Sequence, residues 1–105
     1  MTPKLLFICS RNQWRSKTAE TIFRKRDDLD VKSAGTASSA RIRVNEGMIR
    51  WADTIYVMER KHERYLLTRF ARLTKYKDIV VLDIPDNYKY MDPELIAELE
   101  DVIGG

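Results

Sequence analysis

Residues 4–20 read KLLFICSRNQWRSKTAE. An apolar run of strand length, Leu5 to Ile8, ends at Cys9, the only cysteine among 105 residues. A short polar loop follows, then Arg15, Ser16 and helix-forming residues. A continuous apolar run suits a strand covered on both faces, which is the habit of parallel sheets. A strand that passes through a tight loop into a helix is the first half of a βαβ unit, so this stretch sets the expectation for the rest of the chain.

Reading outward, three further stretches have strand length: a weak one at Val31 to Ser33 closed by Gly35, then Thr54 to Met58 (TIYVM), then Asp78 to Leu82 (DIVVL). Between them apolar residues recur at helical spacing: Ala19, Ile22 and Phe23; Val44, Met48 and Ala52; Leu66, Phe70 and Leu73. Gly47 weakens the middle helix without cancelling it. In the last segment Asp92 can cap, Pro93 suits the first helical position, and Leu95, Ile96, Leu99, Val102 and Ile103 form one apolar face ahead of Gly104 and Gly105. The alternation predicts a single α/β domain over 1–105, a three-layer sandwich with a four-stranded parallel sheet and helices on both faces. Such sheets bind ligands at the carboxyl ends of their strands, and Cys9 stands at that end of the first.

The bulk composition narrows the class. A hydrophobic share of 44% and a charged share of 33% are those of an ordinary globular chain, and no apolar stretch reaches membrane-span length. LLFIC is too short for a signal-peptide core and is followed at once by polar and basic residues. One thiol cannot form an internal disulfide, which suits a reducing compartment, most simply the cytoplasm. The net charge of +3 is unevenly spread. Residues 60–77 are strongly basic, whereas Asp83, Asp86, Asp92, Glu94, Glu98, Glu100 and Asp101 crowd the end of the chain. Two solvated helix faces of opposite sign explain this more simply than an anionic partner does.

A lone cysteine ending an apolar strand is usually a small buried hydrophobe. The loop after Cys9 changes that reading. SRNQW opens a helix, so its backbone N–H groups can form an anion nest with the helix dipole behind them. Arg15 adds a planar fork that matches two phosphoryl oxygens. Both features also stabilise a thiolate. A nucleophilic sulfur at the floor of an oxyanion cradle is what attack on a phosphate ester requires.

CSRNQWRS resembles the phosphate-binding loop of the low-molecular-weight protein tyrosine phosphatases, usually C-x-G-N-x-C-R-S. KTAE continues as that family's helix start. SAGT at Ser33 to Thr36 resembles its second-strand motif, ADTIYVMERKH its A-D-x-I-x-x-M segment and DIPDNY its D-x-x-D-P-Y acid loop. The resemblance runs in order from about Leu5 to Tyr88 and implies a flavodoxin-like strand order 2-1-3-4. It implies a metal-independent, cofactor-free hydrolysis of phosphotyrosine, in proteins or as small aryl phosphates. Cys9 would be the nucleophile, Arg15 the phosphoryl clamp and Asp86 the acid that protonates the leaving phenolate and then activates water. Ser10, Arg11, Asn12, Gln13, Trp14 and Ser16 would make the cradle. Asn12 would hold a left-handed turn, Ser16 would donate to the sulfur, and Ser33 would brace Asn12 from the second strand. Tyr88 and Tyr90 would form an aromatic wall, with ordinary loop packing as their equal alternative. His62, the sole histidine, is expected to be a solvated side chain in a basic helix, Trp51 to pack in the core and Asp53 to serve a turn.

The sequence also departs from the family. It runs almost directly from SAGT to the third strand, where members usually have another helix and loop. Arg11 stands in place of the loop glycine, where it would either clash with a tight nest or add a cation at its mouth. Trp14 stands in place of the second cysteine, so an oxidised Cys9 would lack a neighbouring thiol to trap it. Asn87 replaces the acid loop's proline, leaving Asp83 and Asp92 as rival acids; Asp92 has a ready explanation as a cap and Asp83 as a strand end. Arsenate reduction on this scaffold needs further cysteines for disulfide transfer, and the chain has none. A module that binds phosphate, phosphoprotein or nucleic acid without turnover is the remaining alternative. The joint presence of Cys9, Arg15, Ser16 and Asp86 argues for the enzyme, because a binder needs neither a nucleophile nor an acid.

Overall fold

A computed structural model describes residues 2–103; Gly104 and Gly105, which follow the last apolar face, lie outside the described residues. Four strands, β1 (Lys4–Cys9), β2 (Asp30–Gly35), β3 (Thr54–Val57) and β4 (Asp78–Val81), form one parallel sheet in the order β2-β1-β3-β4. The helices are α1 (Arg15–Phe23), α2 (Glu46–Trp51), α3 (Arg60–Arg69), α4 (Ala71–Thr74) and α5 (Pro93–Ile103). The expected architecture and strand order are those observed.

Strand alternation divides the core. Leu5, Phe7 and Cys9 point to the face covered by α1 and α5, where they join Ala19, Phe23, Met58, Ile84, Leu95 and Leu99. Phe7 stacks on Phe23 and Tyr56, with ring centroids 5.7 and 5.3 Å apart. Leu6 and Ile8 point to the other face and pack with Val44, Ile49, Ile55, Val57 and Leu66. β1 is therefore buried on both sides, as its apolar run foretold. β4, an edge strand, is not: Asp78 and Val80 face solvent while Ile79 and Val81 are half-buried. Trp51 lies at the margin of the second cluster, its ring under the Lys32 ammonium at 4.6 Å.

Helix boundaries follow local chemistry. Asn45 caps α2 by accepting the Met48 N–H at 3.0 Å, so Val44 and Ala52 flank the helix instead of lying inside it. The expected single helix through Leu66, Phe70 and Leu73 breaks at Phe70, whose φ of −125° and ψ of 42° separate α3 from α4. Asp92 accepts the Glu94 N–H at 2.9 Å at the start of α5, the capping role anticipated for it. Asp53 accepts the Lys4 N–H at 2.9 Å, tying the entry of β3 to that of β1. Among the described residues no helix is long and apolar enough to cross a membrane.

Candidate active site

The loop from Ser10 to Trp14 leaves β1 at the carboxyl edge of the sheet and enters α1. Its shape is imposed from outside by the short connection after β2. The N–H groups of Thr36 and Ala37 donate to the carbonyls of Cys9 and Ser10 at 3.0 and 2.9 Å. Arg41 donates from its backbone N–H to the Arg11 carbonyl at 2.9 Å and from Nε to the Asn12 carbonyl at 3.1 Å. With four successive carbonyls drawn outward, peptide N–H groups between them turn inward. Gly35 permits the close approach: a Cβ there would collide with the Ser10 carbonyl oxygen and sit 2.7 Å from Ala40 Cβ. The brief β2–α2 connection is thus itself the loop's support.

Asn12 occupies the left-handed region with φ 58°, the conformation its side chain tolerates best after glycine. This turns its N–H onto Cys9 Sγ at 3.2 Å. Ser16 Oγ lies 3.0 Å from the same sulfur. Asn12 Nδ2 donates to Ser16 Oγ and Ser33 Oγ, both at 2.8 Å, and Ser33 donates to Glu20 Oε1 at 2.6 Å. The Asn12 amide occupies the acceptor side of Ser16, whose proton has two acceptors in reach, the sulfur at 3.0 Å and the Ala34 carbonyl at 3.4 Å; a thiolate takes it at the shorter contact. The network therefore points its donors at Cys9, and Asn12, Ser16 and Ser33 are all buried. Glu20, which ends it and sits 3.9 Å from Arg41 Nη2, was not singled out from the sequence.

Arg15 is only 2% exposed, so its charge must be compensated. Nη1 donates to Glu59 Oε2 at 2.5 Å and to the Ile84 carbonyl at 2.9 Å, while Nε lies 3.6 Å from Asp86 Oδ1. Both hydrogens of Nη1 are spent on anchoring, and Nε and Nη2 remain for a ligand. Glu59 was missed in the sequence. Its signal was a lone carboxylate directly after the apolar run of β3, the strand paired with β1, at the edge where a buried arginine needs a counter-charge. Arg15 in turn holds the Glu59 carboxyl below the usual range, outweighing the upward push of burial.

His62 corrects the expectation of a solvated side chain: it is 1% exposed. It stands three residues into α3, where Nδ1 accepts the Glu59 N–H at 3.0 Å while the Glu59 side chain accepts the His62 N–H, a reciprocal capping box. Nδ1 being an acceptor, the ring proton sits on Nε2 and is donated to Ser10 Oγ at 3.0 Å. The E-x-x-H spacing was the available clue. Burial, reinforced by Arg15 and Lys61 against the opposing pull of Glu59 and Asp86, lowers the His62 pKa from 6.5 to about 4. The unfolded chain therefore binds a proton on this ring that the folded chain refuses. Its stabilising effect is full above pH 6.5 and is lost as pH falls toward 4, with Glu59 acting in the same direction at lower pH. Melting temperature should fall from pH 6.5 to 4 in the unaltered protein and fall less steeply in His62→Gln. Parallel profiles would show that this ring is not the linked group.

Above Cys9 opens a cavity of about 360 Å³ lined by Cys9, Ser10, Arg11, Gln13, Trp14, Arg15, Lys61 and Asp86. Arg11 does not have a positive φ and stands exposed at the mouth, so the cradle accommodates it without strain. The expected wall of Tyr88 and Tyr90 is not formed there. Met91, at φ 62°, turns the chain and donates its N–H to Thr18, and the Tyr90 hydroxyl lies 2.9 Å from Thr21 Oγ1, so this segment is fastened to α1. Tyr88 packs against the first core cluster. Trp14 is the aromatic residue beside the cavity. Asp83, at the end of β4 with φ 57°, and Asp92, in its cap, do not line it; Asp86 does.

The family model described as low molecular weight phosphotyrosine protein phosphatase matches residues 4–52. No curated protein matches the sequence. Several solved structures share the fold. The tyrosine phosphatase Wzb from Escherichia coli K30, in complex with phosphate, has a TM-score of 0.77 at 20% identity over 96% of this chain and 93% of its own. The low molecular weight protein tyrosine phosphatase from T. tengcongensis has a TM-score of 0.74 at 20% identity, over 98% and 94%. YwlE arginine phosphatase from Geobacillus stearothermophilus has a TM-score of 0.72 at 20% identity, over 95% and 85%. Over residues 4–52 the sequence thus matches the low molecular weight phosphotyrosine protein phosphatase model, and over the described chain the fold is the one these phosphatase structures share.

Proposed function

We propose that the protein hydrolyses phosphotyrosine, in proteins or as small aryl phosphates, through a cysteinyl-phosphate intermediate. One observation carries the reading: the sole thiol lies at the floor of a cavity with two hydrogen-bond donors on its sulfur and a buried, anchored guanidinium beside it. The phosphoryl group enters with its oxygens on the loop N–H groups and on Arg15 Nε and Nη2. The Cys9 sulfur attacks phosphorus as the phosphorus–oxygen ester bond breaks, and Asp86 gives its proton to the departing phenolate oxygen. Water then attacks the phosphorus, Asp86 takes its proton, and the sulfur leaves as thiolate with Ser16 and Asn12 donating to it. Arg15 stabilises charge on the equatorial oxygens throughout.

Asp86 reaches the cavity from a loop fixed at Ile84, whose carbonyl holds Arg15 and whose side chain is buried. The acid and the clamp are thereby placed by the same segment. Asp86→Asn should slow turnover of a phosphotyrosyl peptide about 100-fold, and that of p-nitrophenyl phosphate, whose leaving group needs little protonation, much less. Equal slowing of the two would remove Asp86 as the acid. Steady-state assays without added metal read both, with phosphoarginine as the comparison substrate. Faster hydrolysis of phosphoarginine than of phosphotyrosine would move the substrate class toward that named for the Geobacillus relative.

A further inference from the structure

Two cations at the cavity mouth have no part in the scheme above. Arg11 belongs to the loop and Lys61 to the first turn of α3, and both line the cavity. Arg11 is exposed, and its side chain has no hydrogen-bond or ion-pair partner among the described residues. Lys61 is 62% exposed, and its nearest carboxylate oxygen, Glu59 Oε2 at 3.9 Å, is the one already held by Arg15 at 2.5 Å. The lining carboxylate, Asp86, is 56% exposed and lies 3.6 Å from Nε of the same Arg15. Three cations, Arg11, Arg15 and Lys61, thus face two carboxylates, Glu59 and Asp86, so the site keeps one net positive charge, which the exposed Arg11 and Lys61 carry, and Trp14 is its aromatic surface. A phosphate ester needs neither cation once the loop and Arg15 hold it, so what these two can receive is a second anion beside the first.

We infer that the mouth selects phosphotyrosyl peptides with acidic residues next to the phosphotyrosine, Arg11 and Lys61 receiving their carboxylates. The inference rests on the phosphatase reading. Arg11 offers a planar fork to a carboxylate, Lys61 a mobile point charge. They come from different elements, the loop after β1 and the first turn of α3, so each can receive a separate acidic side chain. Both contacts are solvent-exposed, so each is worth about threefold in affinity and the pair about tenfold at low salt. Screening erases most of this as ionic strength rises.

The test is binding, read apart from turnover. Two peptides carry a non-hydrolysable difluorophosphonate analogue of phosphotyrosine, one flanked by glutamates and one by lysines. At low salt the unaltered protein should bind the acidic peptide about tenfold more tightly, with the difference largely gone at high salt. Arg11→Ala and Lys61→Ala should each remove about threefold of the preference, and the double variant should bind both peptides alike. Equal binding by the unaltered protein, a preference that survives the double replacement, or no binding of either peptide would overturn the inference. Hydrolysis of p-nitrophenyl phosphate by the same preparation separates the two readings. An active protein indifferent to the flanks loses the rim, and an inactive one that still prefers the acidic peptide loses the phosphatase.

Discussion

Replacing Cys9 by serine should lower turnover of p-nitrophenyl phosphate by at least about 10,000-fold while inorganic phosphate or vanadate still binds. A hydroxyl in this position has no base to take its proton in the first step, when Asp86 must itself hold the proton that goes to the leaving group. The single histidine accepts the Glu59 N–H on Nδ1 and gives its Nε2 proton to Ser10, so neither nitrogen is free. Ser16 and Asn12 approach the sulfur as donors, which suits an anion and does nothing for a neutral alcohol. The cradle, by contrast, does not depend on the thiol. Its carbonyls are tied to Thr36, Ala37 and Arg41, and these ties survive the substitution. Steady-state kinetics with calorimetric phosphate binding checks both halves. Activity that persists in Cys9→Ser would transfer the chemistry to another group. An unaltered protein that binds phosphate and never turns over would make the chain a binding module on a phosphatase scaffold.

The split between what survives and what is lost in that experiment parallels what the sequence displays. The strand, the loop and the helix from Lys4 to Phe23 are contiguous, so their order of residue types already encodes a sulfur, a nest and a fork. Asn12 was legible because a left-handed turn leaves few residue choices. The sheet was legible because β1 reads as a doubly covered strand, and the edge character of β4 was not, because its apolar residues do not announce which neighbour is missing. Glu59 and Arg41 were passed over, and His62 misread, for one physical reason. Each acts on a partner far away in sequence, and only the β1–β3 pairing and the β2–α2 connection bring them to the loop. Of the two equal alternatives for Tyr88 and Tyr90, packing is the one seen, for the converse reason: a position next to Asp86 says nothing of the turn at Met91 that carries Tyr90 to Thr21.

Arg15→Lys should reduce kcat/KM for aryl phosphates about 1,000-fold although the charge is conserved, and should weaken inhibition by vanadate in step. In the proposed scheme the guanidinium does two jobs with separate atoms. Nη1 is held by Glu59 and by the Ile84 carbonyl, and this anchoring fixes the plane of the fork, leaving Nε and Nη2 for two phosphoryl oxygens. An ammonium has three donors at one point. If it stays with Glu59 and Ile84 it cannot reach the cavity, and if it turns to the phosphoryl group it abandons a carboxylate whose charge has been accommodated against it. Either way the two oxygens on which transition-state charge develops lose their paired donors, so kcat falls and binding cannot restore it. A merely electrostatic role predicts something else, a loss of tenfold or less, since charge at the site is unchanged. That smaller loss, measured on a variant shown by circular dichroism to be folded, would mean the fork is not what the reaction uses.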